Sequence, residues 1–219
     1  DRIYNGAVDN ATGTAALIEM ARAFAAGPRP ARTVLFLALT AEEQGLLGSE
    51  YYAENPLYPL GRTVGVLNMD ALGVDGPARN FSISGSARLG LLDMLIEAGK
   101  ARGRDYAPDP HPEAGYFFRS DHFSFAKRGV PAISFDPGDD LVTGGTARGE
   151  AASAAYRAER YHQPGDEWRD DWNLDGLVQD VALLKAVGDR LANGADWPNW
   201  TEGSEFRPIR DQSAAERLP

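Results

Sequence analysis

Cysteine is absent from the 219 residues, which excludes disulfides and thiolate metal sites and leaves any metal to His, Asp and Glu. Histidine is scarce as well, at three residues, so few imidazole ligands are on offer. No run of eighteen apolar residues occurs, and no stretch reads as a membrane span. The N-terminus lacks the basic and apolar regions of a signal peptide, and Asp1-Arg2-Ile3 has no initiator methionine, so a processed or truncated piece of a longer protein is expected. Positive charge is short: 22 Lys and Arg face 32 Asp and Glu, a net charge of −10. That balance argues against a nucleic-acid partner, whose binding needs a basic face.

What is present suits one globular α/β domain, since 43% hydrophobic and 25% charged residues can build a core at this length. Leu17, Met20, Ala21 and Phe24 recur at helical spacing and stop at Gly27-Pro28. Val34 to Leu39 is apolar at every position, the pattern of a central strand covered on both faces. Thr63 to Met69, Phe81 to Ser84 and Val130 to Phe135 are further strand candidates. Helical spacing returns in Leu89, Leu92 and Ile96, and again from Leu174 through Leu191. The alternation predicts three α/β/α layers around a mostly parallel sheet. Residues 136–160 lack clear periodicity and are expected to form a long loop. Residues 197–219 read as an extended tail anchored by Trp197 and Trp200.

Acids stand where these elements end. Glu42 and Glu43 follow the Val34–Leu39 run, Asp70 ends Val66-Leu67-Asn68-Met69, and Asp9 precedes the first helix. Ligands in α/β sheets bind outside the carboxyl ends of the strands, which is where such acids would lie. Each also has a structural reading: Thr40 and Glu43 fit a Thr-x-x-Glu capping box, Asp9 fits a helix N-cap, and Asp70 a solvated turn. Taken with one histidine, the three positions are the inventory of a site built from oxygen and nitrogen ligands. His162, in Tyr161-His162-Gln163-Pro164-Gly165-Asp166-Glu167, is the best candidate, with acids following that could orient its ring. His111 lies between prolines and reads as a surface residue; His122, in Ser120-Asp121-His122, fits a helix start or a pocket wall.

In order, Asn5-Gly6-Ala7-Val8-Asp9-Asn10-Ala11-Thr12-Gly13, Thr40-Ala41-Glu42-Glu43-Gln44-Gly45-Leu46-Leu47-Gly48-Ser49, Asn68-Met69-Asp70, Arg119-Ser120-Asp121-His122 with Gly129-Val130-Pro131-Ala132, and Tyr161-His162-Gln163-Pro164 resemble the successive motifs of the M28 zinc aminopeptidases. The resemblance covers nearly the whole chain. It implies an aminopeptidase or phosphorylase-hydrolase-like fold and two zinc ions per complete catalytic domain. Asp9 would bridge them, Glu43 and His162 would complete one site, and Asp70 would serve the other. Glu42 would match the general base, and the Asp9–Asn10 peptide would be cis. Asp121 and His122 would lie near the substrate pocket, and a secreted or periplasmic setting would follow; apart from the resemblance, Tyr116 and Phe117 beside Arg119, with Tyr161, are candidates for the pocket wall.

One element of the pattern is missing. A His-x-Asp motif on a preceding strand supplies a further ligand in that family, and here only eight residues precede Asp9. The resemblance therefore implies the C-terminal part of a catalytic domain, lacking its first strands and supplying a full three-ligand set for one of the two zincs. A missing N-terminal segment or another chain would pair with the exposed sheet edge. The expected activity is an exopeptidase acting on peptides, most simply an aminopeptidase. Alternatives on the same fold are a single-zinc acyltransferase like glutaminyl cyclases, a carboxypeptidase or dipeptidase using Arg119 for a substrate carboxylate, and a non-catalytic module like transferrin-receptor ectodomains. Tyr116, Phe117 and Phe118 fit simple core packing better, as an aromatic run entering a helix usually does.

Overall fold

The structure is a computed structural model and describes residues 2–217. In chain order its elements are α1 (Ala11–Ala26), α2 (Leu47–Glu54), β1 (Val66–Met69), β2 (Asn80–Ile83), α3 (Gly90–Lys100), β3 (Asp105–Tyr106), α4 (His122–Ala126), β4 (Ala132–Pro137), α5 (Gly145–Glu159), α6 (Asp175–Asn193) and α7 (Arg207–Gln212). The strands form one sheet in the order β1-β4-β2-β3. β1 runs parallel to β4 and β2 parallel to β3, while β4 and β2 are antiparallel, so the sheet is mixed.

β4 is the central strand, and its composition explains why. Ala132 to Phe135 are buried on both faces, and each face meets a different layer. Phe135 stacks on Phe81, and Arg104 lies over both rings while it pairs with Asp180 of α6 at 2.7 Å. On the opposite face Asn68 Nδ2 donates to Ser134 Oγ at 3.1 Å and to Ser120 Oγ at 2.8 Å, just ahead of α4. α3, α6 and α1 therefore cover one side and α4 with α2 the other, which is the three-layer α/β fold.

Three expectations need correction. Val34–Leu39 is not a strand: among the described residues no backbone hydrogen bond satisfies residues 33–39, and Leu35 is 41% exposed. Apolar character cannot make a strand without a neighbouring ladder. The segment instead rests on the core through Phe36, Leu37 and Leu39, with Phe36 against Phe24. Residues 136–160 are not one loop, because α5 occupies 145–159. Only Gly149 of that helix is buried, pressed so close to Asp139 that a Cβ would sit 2.0 Å from its carbonyl oxygen. An alanine-rich helix lying on the surface has little apolar stripe to reveal it. Finally, the tail is partly helical, through α7.

That tail is tied down by polar groups within an apolar setting. Trp200 donates its indole N–H to Gly129 O at 3.0 Å, and the buried Arg210 donates to Thr63 O at 2.9 Å. Gly129 is required here: its φ is +83°, and a Cβ would lie 2.6 Å from Arg210 N.

Leu183 on α6 is fully buried, whereas Val178 on the same helix is 63% exposed. Urea unfolding is expected to show Leu183→Ala less stable by about 2–5 kcal/mol and Val178→Ala nearly unchanged. Equal effects at the two positions would contradict the packing described.

Candidate metal centre

The site assembles at the carboxyl end of β1. Asn10 makes the first join: its Oδ1 accepts from Gly13 N at 2.9 Å, capping α1, and from Ala71 N at 3.2 Å, while its Nδ2 donates to Met69 O at 3.0 Å. α1 thereby starts against the end of β1, close enough that a Cβ on Gly13 would lie 2.4 Å from Met69 O. Asp9 and Asp70 are brought side by side. The Asp9–Asn10 peptide is cis, as the motif implied. Ser120 donates its hydroxyl to Asp70 Oδ2 at 2.8 Å, and Asn68 Nδ2 donates in turn to Ser120 Oγ at 2.8 Å.

Glu42 and Glu43 sit in a single 3-10 turn, Glu42–Gln44, flanked by left-handed residues at Ala41 (φ 55°), Gly45 (φ 100°) and Leu46 (φ 61°). Thr40 caps nothing here, and α2 begins only at Leu47, so the capping-box reading of Glu43 does not hold. Glu43 turns outward and lies at 3.0 Å, through Oε1, from His162 Nε2. The same nitrogen lies 3.2 Å from Asp9 Oδ2. His162 follows α5 with a left-handed φ of 55°, and Tyr161 stacks on its ring at 3.7 Å.

Asp9, Glu43 and His162 thus present one ligand atom each, all within 4.8 Å of one another. Two carboxyl groups and an imidazole suit a divalent cation that accepts mixed oxygen and nitrogen donors. The electrostatics point the same way. Burial, then Asp70 and Glu43, push the Asp9 carboxyl up to about 6, against a smaller opposing pull from His162. Burial, then Asp70, Glu43, Asp121 and Asp9, push Glu42 up to about 8. A cation among these groups would relieve the repulsion they share.

Beside this cluster is a pocket of about 270 Å³. Asp9, Glu42, Glu43, Asp70 and Asp121 line one part, and Leu37–Leu39 with Leu67–Met69 the other. Its walls are therefore the edge of β1 and the irregular Val34–Leu39 segment.

A search against protein families matches the model of peptidase family M28 over residues 1–185. The chain belongs to peptidase family M28. Among similar proteins, leucine aminopeptidase 2 of Arthroderma otae is 31% identical over 215 residues, covering 93% of this chain and 41% of that protein. Leupeptin-inactivating enzyme 1 of Streptomyces exfoliatus is 28% identical over 210 residues, covering 93% and 44%. The chain thus spans less than half the length of these relatives. The fold resembles the aminopeptidase from Aneurinibacillus sp. strain AM-1, with a TM-score of 0.59 and 23% identity, over 88% of this chain and 41% of that one. A Zn-dependent exopeptidase from Parabacteroides distasonis shares it at a TM-score of 0.52 and 18% identity, over 86% and 63%.

The residues read from the M28 pattern do not all face the pocket. Asp9, Glu42, Glu43, Asp70 and Asp121 do, with His162 and Tyr161 at its rim beside Asp9. Phe117 and His122 turn inward, where they meet edge to face at 4.9 Å with 7% and 0% exposure. Tyr116 is exposed and Arg119 stacks over it at 5.4 Å, away from the acids. The acids after His162 do not orient its ring: Asp166 reaches the backbone of Val8 and Asp9 instead. Asn10, Ser120 and Asp166 support the site, and only their places within the motifs could have suggested it.

Among the described residues His122 has no hydrogen-bond partner on either ring nitrogen, and burial pushes its imidazole down to about 3. The unfolded chain takes up this proton near 6.5, so its contribution to stability is intact above about pH 6.5 and is lost progressively as pH falls toward about 3. His122→Leu is expected to flatten the pH dependence of unfolding free energy between about pH 6 and 4. An unchanged slope would show that the imidazole is not held neutral.

Proposed function

We propose that this chain carries the catalytic centre of a zinc-dependent exopeptidase, with an aminopeptidase as the reading the pocket supports best. The observation that carries it is the convergence of Asp9, Glu43 and His162 within 4.8 Å at the mouth of a pocket lined by Glu42. These three residues would hold zinc, and Asp70 would contribute to a second site sharing Asp9. When bound, zinc supplies Lewis acidity toward a carbonyl oxygen, brings the pKa of water toward neutrality and offsets the surrounding negative charge. A bound cation would relieve part of the repulsion that raises Glu42 and so favour its carboxylate form. That carboxylate can take a proton from water and pass it to the amide nitrogen that leaves.

Recognition of a free amine follows from charge. Asp70 and Asp121 line the pocket without a Lys or Arg among its walls, which favours a cationic amino terminus and disfavours a carboxylate. Arg119, the residue a carboxypeptidase would use, is stacked on Tyr116 outside that lining. An extended segment, from a longer form of the protein or another chain, is proposed to pair with the open edge of β1.

Glu42→Gln is expected to lower kcat on aminoacyl amides by about 10²–10⁴-fold with zinc retained. Glu43→Ala is expected to lose the zinc itself, as read by metal content after dialysis. Full activity in Glu42→Gln, or cleavage of N-blocked peptides in preference to free-amine substrates, would overturn the reading. Zinc titration of the 219-residue chain is expected to saturate near one tight equivalent; two would mean that the second site needs no further ligand.

A further inference from the structure

The segment carrying Asp9 has few ties to the rest of the molecule. Among the described residues, the hydrogen bonds that residues 5–9 make to distant parts of the chain all go to Asp166 and Glu167. Asn5 Nδ2 donates to Glu167 Oε1 at 3.0 Å. Asp166 makes the others. Its backbone carbonyl accepts from Ala7 N at 3.0 Å. Its carboxylate accepts from Val8 N at 3.1 Å on each oxygen, and from Asp9 N at 2.9 Å on Oδ2. Tyr156, on α5, donates its hydroxyl to the same Oδ2 at 3.3 Å.

Asp166 is 2% exposed and makes no salt bridge among the described residues. A carboxylate buried without a cation is costly unless hydrogen bonds replace its water, and here the replacements come mainly from the backbone of one short segment. Part of this role is structural, since an apolar residue here would leave the Val8 and Asp9 N–H groups unpaired. What an apolar residue could not do is hold two consecutive N–H groups at a set distance from a turn 157 residues away in sequence. His162 lies in that turn, four residues before Asp166, and Asp9 carries one of the gripped N–H groups. Two of the three converging donors are therefore referred to one carboxylate.

We infer that Asp166 is a positioning residue for the metal centre, fixing the separation of Asp9 and His162 before any ion binds. It touches neither the substrate pocket nor the ligand atoms and acts through the backbone of Val8 and Asp9. This rests on the reading of Asp9, Glu43 and His162 as zinc ligands.

The test is zinc affinity of the full 219-residue chain, measured by competition with a chromophoric chelator alongside thermal unfolding of the metal-free protein. Asp166→Asn keeps the shape but turns an amide NH2 toward a backbone N–H, and is expected to weaken zinc about 10–100-fold in folded protein. Tyr156→Phe removes only the longest of the bonds and is expected to weaken zinc about threefold. If Asp166→Asn does not fold, Tyr156→Phe decides the matter by the same measurement. A merely structural role would lower the unfolding temperature and leave the affinity of the folded chain unchanged, and that result would overturn the inference alone. Absence of zinc binding by the unsubstituted chain would overturn the metal reading beneath it.

Discussion

Carboxylates repel one another, and the centre has to be built against that repulsion. Asp9, Glu42, Glu43, Asp70 and Asp121 share one small pocket, and the shifts of Asp9 and Glu42 record what their gathering costs. Burial is the larger cause in both, so exclusion of water weighs more than any single neighbour. Four of the five acids are accordingly held in identifiable ways. Asp70 takes the Ser120 hydroxyl, itself fixed by Asn68; Asp9 is gripped through its backbone by Asp166; the two glutamates are set by a turn with left-handed residues at both ends. The cost is offset by an apolar core elsewhere, centred on β4 and α6, that has no part in the chemistry proposed.

The acids were legible in the sequence because an acid closing an apolar run has no packing reason to be there. Asp70 after Val66–Met69 is the clearest case, and Asp9 ahead of α1 the next. The devices that hold them were not legible. Ser120 acts on Asp70 across 50 residues and Asp166 on Asp9 across 157, and a long-range hydrogen bond leaves no periodic trace. His162 shows the same limit: the residues following it look like partners for its ring, yet its Nε2 faces Asp9 and Glu43. His122 shows the converse, a polar residue in a promising motif that is buried against Phe117.

Fold class was readable from the alternation of apolar runs with helical stripes, but the identity of the central strand was not. Val34–Leu39 and Ala132–Phe135 have similar composition. Only the second finds strands on both sides, and this pairing, a property of the whole sheet, separates a buried strand from an irregular segment. The difference bears on the site, since Leu37–Leu39 and Leu67–Met69 both line the pocket. α5 went unread for the opposite reason. Its residues are good helix formers with almost nothing buried, so propensity holds a helix that pattern does not announce.

The division of labour proposed between neighbouring glutamates follows from where the next helix begins. Had Thr40 capped a helix, Glu43 would stand in its first turn with its carboxylate directed at backbone N–H groups. The helix starts instead at Leu47, after left-handed residues at Gly45 and Leu46, and Glu43 has no role in capping it. Its side chain is 52% exposed and reaches His162, while Glu42 is drawn inward among Asp70 and Asp121. Adjacent side chains on a short 3-10 turn diverge, which is what one ligand and one base beside it require. Delay of α2 by a few residues is thus the local feature on which the proposed separation of binding from proton transfer depends.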